Sequence, residues 1–178
     1  MVFGGRPIVV PSGLEGMRDL TVTVGSVSLE QRMIGWRVGW TVARAELAPT
    51  LAMVHIYNGI VTGGFGQVGA AAALRIGDDD VRAAVVEWER RHDELVRQCD
   101  GLSLVPAHGG WSALFDAEGH GLDAPELSRR LLEQKVAATP MTDAWSAAYA
   151  NRYVRLVFSN EPVERLSLLG ERLGAALA

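Results

Sequence analysis

Three consecutive acids, Asp78-Asp79-Asp80, open the longest periodic stretch of this 178-residue chain. Val81, Val85, Trp88, His92, Leu95 and Cys99 follow at spacings of three and four. That period puts them on one face of an α-helix, and acids in a first turn suit the positive end of the helix dipole. Gly101 supplies a stop. A helix this long with a single apolar stripe has to lie against other elements, so it sets the frame into which the flanking segments fit.

Before it, Leu20-Thr21-Val22-Thr23-Val24 is β-branched and ends at Gly25, the pattern of a buried strand. Arg37 to Val42 reads as a second strand, and Ala45 to about Ile56 as a helix whose start Pro49 limits. Tyr57-Asn58-Gly59 and Thr62-Gly63-Gly64 are turn signals, and alanine-rich Gln67 to Leu74 a packed helix. After it come strand candidates Leu102–Val105 and Trp111–Phe115. A helix follows from about Pro125 to Gln134 with Leu127, Leu131 and Leu132 inward. Tyr153–Phe158 is the strongest late strand, and Asn160 is positioned to cap a last helix carrying Val163, Leu166, Leu169 and Leu173. The expectation is an α/β chain with residues 1–77 as one part, 78–178 as the other, and the helix of about 78–100 as the joint.

Apolar residues make up 48% of the chain and charged residues 21%, enough to bury a core. A formal net charge of −4 without a basic stripe argues against nucleic-acid binding. No apolar run approaches the ~20 residues of a membrane span, and Met1–Gly16 does not read as a signal peptide. Cys99 is the sole cysteine, which suits a reducing cytoplasm. His55, His92, His108 and His120 are scattered, so no metal site is expected, and His92, on the apolar stripe, reads as a core residue. Trp36, Trp40, Trp88, Trp111 and Trp145 read mostly as core.

The chemistry concentrates between Gly25 and Trp40. Ser26, Ser28 and Arg37 can converge on a phosphate, two hydroxyls donating and a guanidinium adding a charge-assisted fork. The residues also allow a plain strand-loop-strand, with Trp36 and Trp40 packing and Arg37 paired to an acid.

The run Thr21-Val22-Thr23-Val24-Gly25-Ser26-Val27-Ser28, then Arg32-Met33-Ile34-Gly35-Trp36-Arg37-Val38-Gly39-Trp40, resembles the cofactor-anchoring segment of the class I/II aminotransferases, the fold-type I enzymes that use pyridoxal phosphate. The resemblance continues through Asn58–Leu74, Gly109–Asp116 and Val136–Pro140, where Met141 replaces the family's usual glycine, and through Tyr153–Ser159. It implies the C-terminal portion of that fold: a remnant of the large-domain sheet plus the small α/β domain. It implies that Ser26, Ser28 and Arg37 face the cofactor phosphate and that Arg155 grips the substrate carboxylate, the substrates being an amino acid and a 2-oxo acid. It also implies that the family's Schiff-base lysine is replaced by Leu29. The chain's only lysine, Lys135, sits at the end of the Pro125–Gln134 helix, where a lysine commonly caps carbonyls. The family's preceding part is missing, with its aspartate for the pyridine nitrogen and its ring-stacking aromatic. The expectation is therefore a truncated or degenerate transferase, inactive alone. Its uncovered large-domain remnant favours a homo-oligomer or a partner chain, and a non-catalytic scaffold is the alternative.

A competing reading comes from Gly64-Phe65-Gly66-Gln67-Val68-Gly69, which satisfies G-x-G-x-x-G and leads into a helix. An NAD(P)-binding fingerprint also needs a strand before it and an acid at the end of a following strand. Ile60-Val61-Thr62 is a poor strand, and glycines ahead of a tightly packed helix give the same spacing.

Overall fold

A computed structural model describes residues 1–142 and 148–178. Trp145 lies outside the described residues. The chain divides into two compact units, one of Gly5–Ala83 and one of Met1–Gly4 with Ala84–Ala178.

The first unit holds β1 (Thr23–Ser26), β2 (Gly39–Val42), α1 (Ala48–Gly59) and α2 (Gly64–Ile76). The two strands pair antiparallel with Thr23 opposite Val42 and Ser26 opposite Gly39. The strand expected at Leu20–Val24 starts later, because Arg18–Leu20 form a 3-10 turn. Nor is it buried: Val22 is 46% and Val24 78% exposed. A lone two-stranded ribbon has no second layer to cover its outward side chains. Arg37, expected in the second strand, has φ +55° and so belongs to the turn before it. Pro49 does set the start of α1, sitting in its first turn. Tyr57-Asn58-Gly59 belongs to that helix rather than to a turn, and the chain reverses at Ile60 instead. Trp36 and Trp40 are 52% and 38% exposed, which corrects their expected place in the core. The buried centre is small: Val27, Val38 and Ala70, with Met33 against them.

The second unit takes most of α3 (Asp79–Gln98), followed by β3 (Leu104–Val105), β4 (Ser112–Asp116), α4 (Ala124–Glu133), β5 (Thr139–Pro140), β6 (Tyr153–Val157), α5 (Val163–Leu166) and α6 (Leu169–Leu177). Its antiparallel sheet has the order β3-β4-β6-β5. Ala113 and Phe115 of β4 alternate inward beside Val154 and Leu156 of β6. They join Leu95, Leu127, Leu131 and Leu173 from the helices in one apolar cluster. The stripe on α3 works as its period demands, with His92, Leu95 and Cys99 buried. His92 Nε2 accepts a hydrogen bond from the Ala107 N–H at 3.2 Å, a structural role.

Asp123 caps α4, its carboxylate accepting from the Glu126 N–H at 2.8 Å. Leu127 and Leu131 point inward, but Leu132 is 64% exposed, one residue past the stripe. Lys135 follows with φ +63°. Its own N–H donates to the Leu132 carbonyl, so the main chain rather than the ammonium closes the helix. Asn160 is not a cap: the last helix is two pieces, the first beginning after Pro162. No helix of the described residues is long and apolar enough to cross a membrane.

Candidate active site

The loop joining β1 to β2 is pinned at its base. The Val27 N–H donates to the Val38 carbonyl at 3.2 Å, and the Met33 N–H donates to the Val27 carbonyl at 3.1 Å. Burial of Val27 and Val38 fixes those ends, so the hydroxyls of Ser26 and Ser28 and the Arg37 side chain leave from a braced frame. Ser26 Oγ accepts from the Ser28 N–H at 3.3 Å. Arg37 stands in the left-handed region after the 3-10 turn Ile34–Trp36, and its Nη1 donates to the Ile34 carbonyl at 2.9 Å. A non-glycine residue held at positive φ is uncommon, and here the side chain's own bond to the preceding turn helps to hold it.

These three predicted residues line one cavity of about 650 Å³. Trp40 and Thr41 of β2 contribute, as do Ala48, Leu51, Ala52 and His55 of α1, and Thr62 beyond it. Gly25 lets Trp40 lie flat over the strand: a Cβ there would come 2.5 Å from the indole. Among the described residues, Arg37 and His55 are the titratable side chains of the lining, and no carboxylate is among them. The arrangement suits an anion bearing a flat apolar body: hydroxyl and guanidinium donors on one wall, indole and aliphatic carbon beside them. The donor set therefore fits a phosphate ester such as pyridoxal phosphate.

Leu29 is half-buried within the same loop, its carbonyl accepting from the Arg32 N–H at 3.2 Å. It offers no polar side-chain atom at the position where the resemblance requires an amine. Lys135 lies in the other unit.

Arg155 sits at the middle of β6, opposite Leu114 on one side and Thr139 on the other. It alternates to the face away from the apolar cluster, and its guanidinium lies 4.9 Å from the Trp111 ring centroid. A strand-borne guanidinium stacked on an indole is held in orientation, as recognition of a planar carboxylate requires. The neighbouring Arg152 serves structure instead. It pairs with Asp116 and reaches Glu118 at 3.3 Å, and its hydrogen bond holds the Asp116 carboxyl below the usual aspartate range.

The dinucleotide fingerprint does not form. The glycine-rich run opens α2, and the element before it is α1, not a strand. Its glycines mark close packing: a Cβ on Gly66 would lie 2.8 Å from Val38 Cγ2, and one on Gly69 would overlap the Trp36 ring.

The sequence profile of the class I and II aminotransferases matches residues 1–177. The chain belongs to this family. It is 32% identical over 171 residues to the arginine–pyruvate transaminase of Pseudomonas aeruginosa, covering 92% of this chain and 42% of that one. The solved N-succinyldiaminopimelate aminotransferase of Mycobacterium tuberculosis superposes with a TM-score of 0.84 at 27% identity, over 100% of this chain and 47% of its own. The aromatic aminotransferase of Pyrococcus horikoshii OT3 gives 0.80 at 26% identity, over 97% and 47%. The chain thus spans a little under half the length of these relatives and has the fold of the corresponding portion of an aminotransferase.

His55 and Thr62 are among the lining residues that sequence reasoning missed. A lone histidine in a helical stretch carries no signal; only the fold turns it toward the hairpin.

Proposed function

We propose that this chain is the C-terminal part of a fold-type I pyridoxal phosphate aminotransferase that keeps the binding frame and lacks the chemical step. The observation that carries the reading is the pairing of Ser26, Ser28 and Arg37 around one cavity with a leucine at position 29. When bound, pyridoxal phosphate supplies an electron sink for amino-group chemistry. In this reading Ser26 and Ser28 donate hydroxyl hydrogen bonds to its phosphate, Arg37 adds charge, and Arg155 holds the carboxylate of an amino acid or 2-oxo acid. Leu29 has no amine to hold the cofactor covalently and no basic atom to move a proton. Loss of a general base alone costs about 10²–10⁴-fold in rate. The isolated chain therefore binds without turning over. Its one cysteine, Cys99, suits a cytoplasmic setting.

The test is incubation with pyridoxal phosphate, borohydride reduction and peptide mass mapping, alongside a transaminase assay. The expected result is reversible binding, no stoichiometric label and no turnover. Stoichiometric labelling at Lys135, with turnover, would overturn the proposal.

A second reading, an interaction subunit, is favoured by the apolar surface of the first unit. Val24, Val42, Ile60, Val61, Phe65 and Val68 are each more than half exposed. Such a surface favours association with a second copy or with another chain. Light scattering after size exclusion is expected to show an oligomer; a dispersed monomer would sink this reading.

A further inference from the structure

We infer that His55, backed by Thr62, is a second ligand-positioning pair of the cavity, donating to an anionic oxygen of the phosphate ester bound there. The inference rests on reading the cavity as a cofactor site, and it adds a wall to that site. Ala48, Leu51, Ala52 and His55 recur at spacings of three, one and three along α1 and so form one helix face, which lines the cavity. The first three are aliphatic, so the imidazole is the single polar side chain that this helix brings to the lining. With Arg37 it places a nitrogen-bearing side chain on each wall of the cavity, and no acid lines it among the described residues.

The pairing with Thr62 preserves a donor for the ligand. Thr62 Oγ1 lies 3.4 Å from His55 Nε2. If the hydroxyl donates to Nε2, the neutral ring carries its proton on Nδ1 and can donate from there. If Nε2–H donates instead, the threonine hydrogen is left to donate. Either tautomer leaves the pair one donor beyond the one they share.

The backbone is bent to bring Thr62 to this place. Ile60, a β-branched residue, has φ +60° and ψ −73°, and the Val61 N–H donates to the Gly59 carbonyl at 2.7 Å across it. That three-residue turn is strained and rare. Its far side is held by Gln67, whose Nε2 donates to the Thr62 carbonyl at 2.9 Å. His55 lies four residues before the end of α1, on the side of the helix nearer the negative end of its dipole, which an imidazole also suits. That role would alter stability and leave ligand affinity unchanged, so the two are separable.

The experiment uses pyridoxamine 5′-phosphate, which has no aldehyde and binds only non-covalently, and phosphate-free pyridoxamine as its control. Affinities are measured by calorimetry at a temperature where circular dichroism shows every variant folded. Wild type is expected to bind the phosphorylated compound and to discriminate against the other, and Arg37→Gln to lose that preference. His55→Leu is expected to weaken binding about tenfold, the size of one hydrogen bond to a charged group. His55→Gln, which keeps a donor, is expected to recover part of the loss. Thr62→Val is expected to weaken binding several-fold, and it carries the test if His55→Leu does not fold. Wild-type affinity in His55→Leu, or in Thr62→Val where that variant stands in, with loss in Arg37→Gln overturns this inference and leaves the cofactor reading intact. A wild type that does not discriminate between the two compounds overturns both.

Discussion

Replacing Gly66 with alanine sets two effects of opposite sign against each other, and the structure decides between them. Within a helix the change ordinarily stabilises by roughly 0.5–1 kcal/mol, because alanine gives up less backbone freedom. At Gly66 the new methyl would stand 2.8 Å from Val38 Cγ2 and 3.1 Å from the Trp36 carbonyl oxygen. Ordinary carbon–carbon contact is about 3.5–4.0 Å. Neither neighbour gives way easily: Val38 is 8% exposed and its carbonyl accepts from Val27, and the other contact is main chain. Overpacking of this kind costs about 1–3 kcal/mol. The net expectation is a loss of about 1 kcal/mol, up to about 2 if Val38 cannot shift. Gly64, in the same helix, has nothing within 4 Å of its would-be Cβ and serves as the control. Urea unfolding followed by far-UV circular dichroism should place the Gly66→Ala midpoint below wild type and Gly64→Ala at or above it. A Gly66→Ala protein as stable as wild type would refute the claim that the G-x-G-x-x-G spacing records close packing.

Leu131→Ala empties a fully buried site in the cluster formed with Leu95, Leu127 and Leu173 and should cost about 2–5 kcal/mol in denaturant unfolding; a loss below ~1 kcal/mol would contradict that packing. Asp116 is held below the usual aspartate range by Arg152, so its stabilisation is present above that range and disappears as pH falls through the lowered value. Unfolding titrations should then show wild type losing stability in acid more steeply than Asp116→Asn. Burial pushes the Cys99 thiol up to about 11, so iodoacetamide at pH 8 should label it only after unfolding. By the same linkage, stability should fall as pH rises from the ordinary thiol range toward that value. Ile60→Gly relieves a left-handed β-branched residue and should raise stability by about 1 kcal/mol in thermal unfolding, whereas a lower midpoint would show that the turn is not strained.

Where one period dominated, the sequence was legible. The stripe from Val81 to Cys99 marked α3 and its buried face, and the strand candidates Trp111–Phe115 and Tyr153–Phe158 match β4 and β6. Errors gathered where a neighbour, not a local preference, decides the outcome. Leu20–Val24 has the composition of a buried strand, yet Val22 and Val24 are exposed because the described residues put no layer over them. Arg37 reads as strand from its valine and tryptophan neighbours, but its own bond to the Ile34 carbonyl holds it in a turn. Asn160 has the chemistry of a cap, but Pro162 starts the helix two residues later.

Taken alone, the sequence carried the family resemblance and set two hydroxyls, a guanidinium and a leucine at Ser26, Ser28, Arg37 and Leu29, because those are matters of which atoms stand at which spacing. Tertiary structure alone decided that α1 lies opposite the hairpin and brings His55 and Thr62 into the same cavity, and that Gly66 and Gly69 pack against Val38 and Trp36. Such approaches join residues far apart along the chain. No local pattern encodes them, because only the packing of one element on another fixes the distance between them.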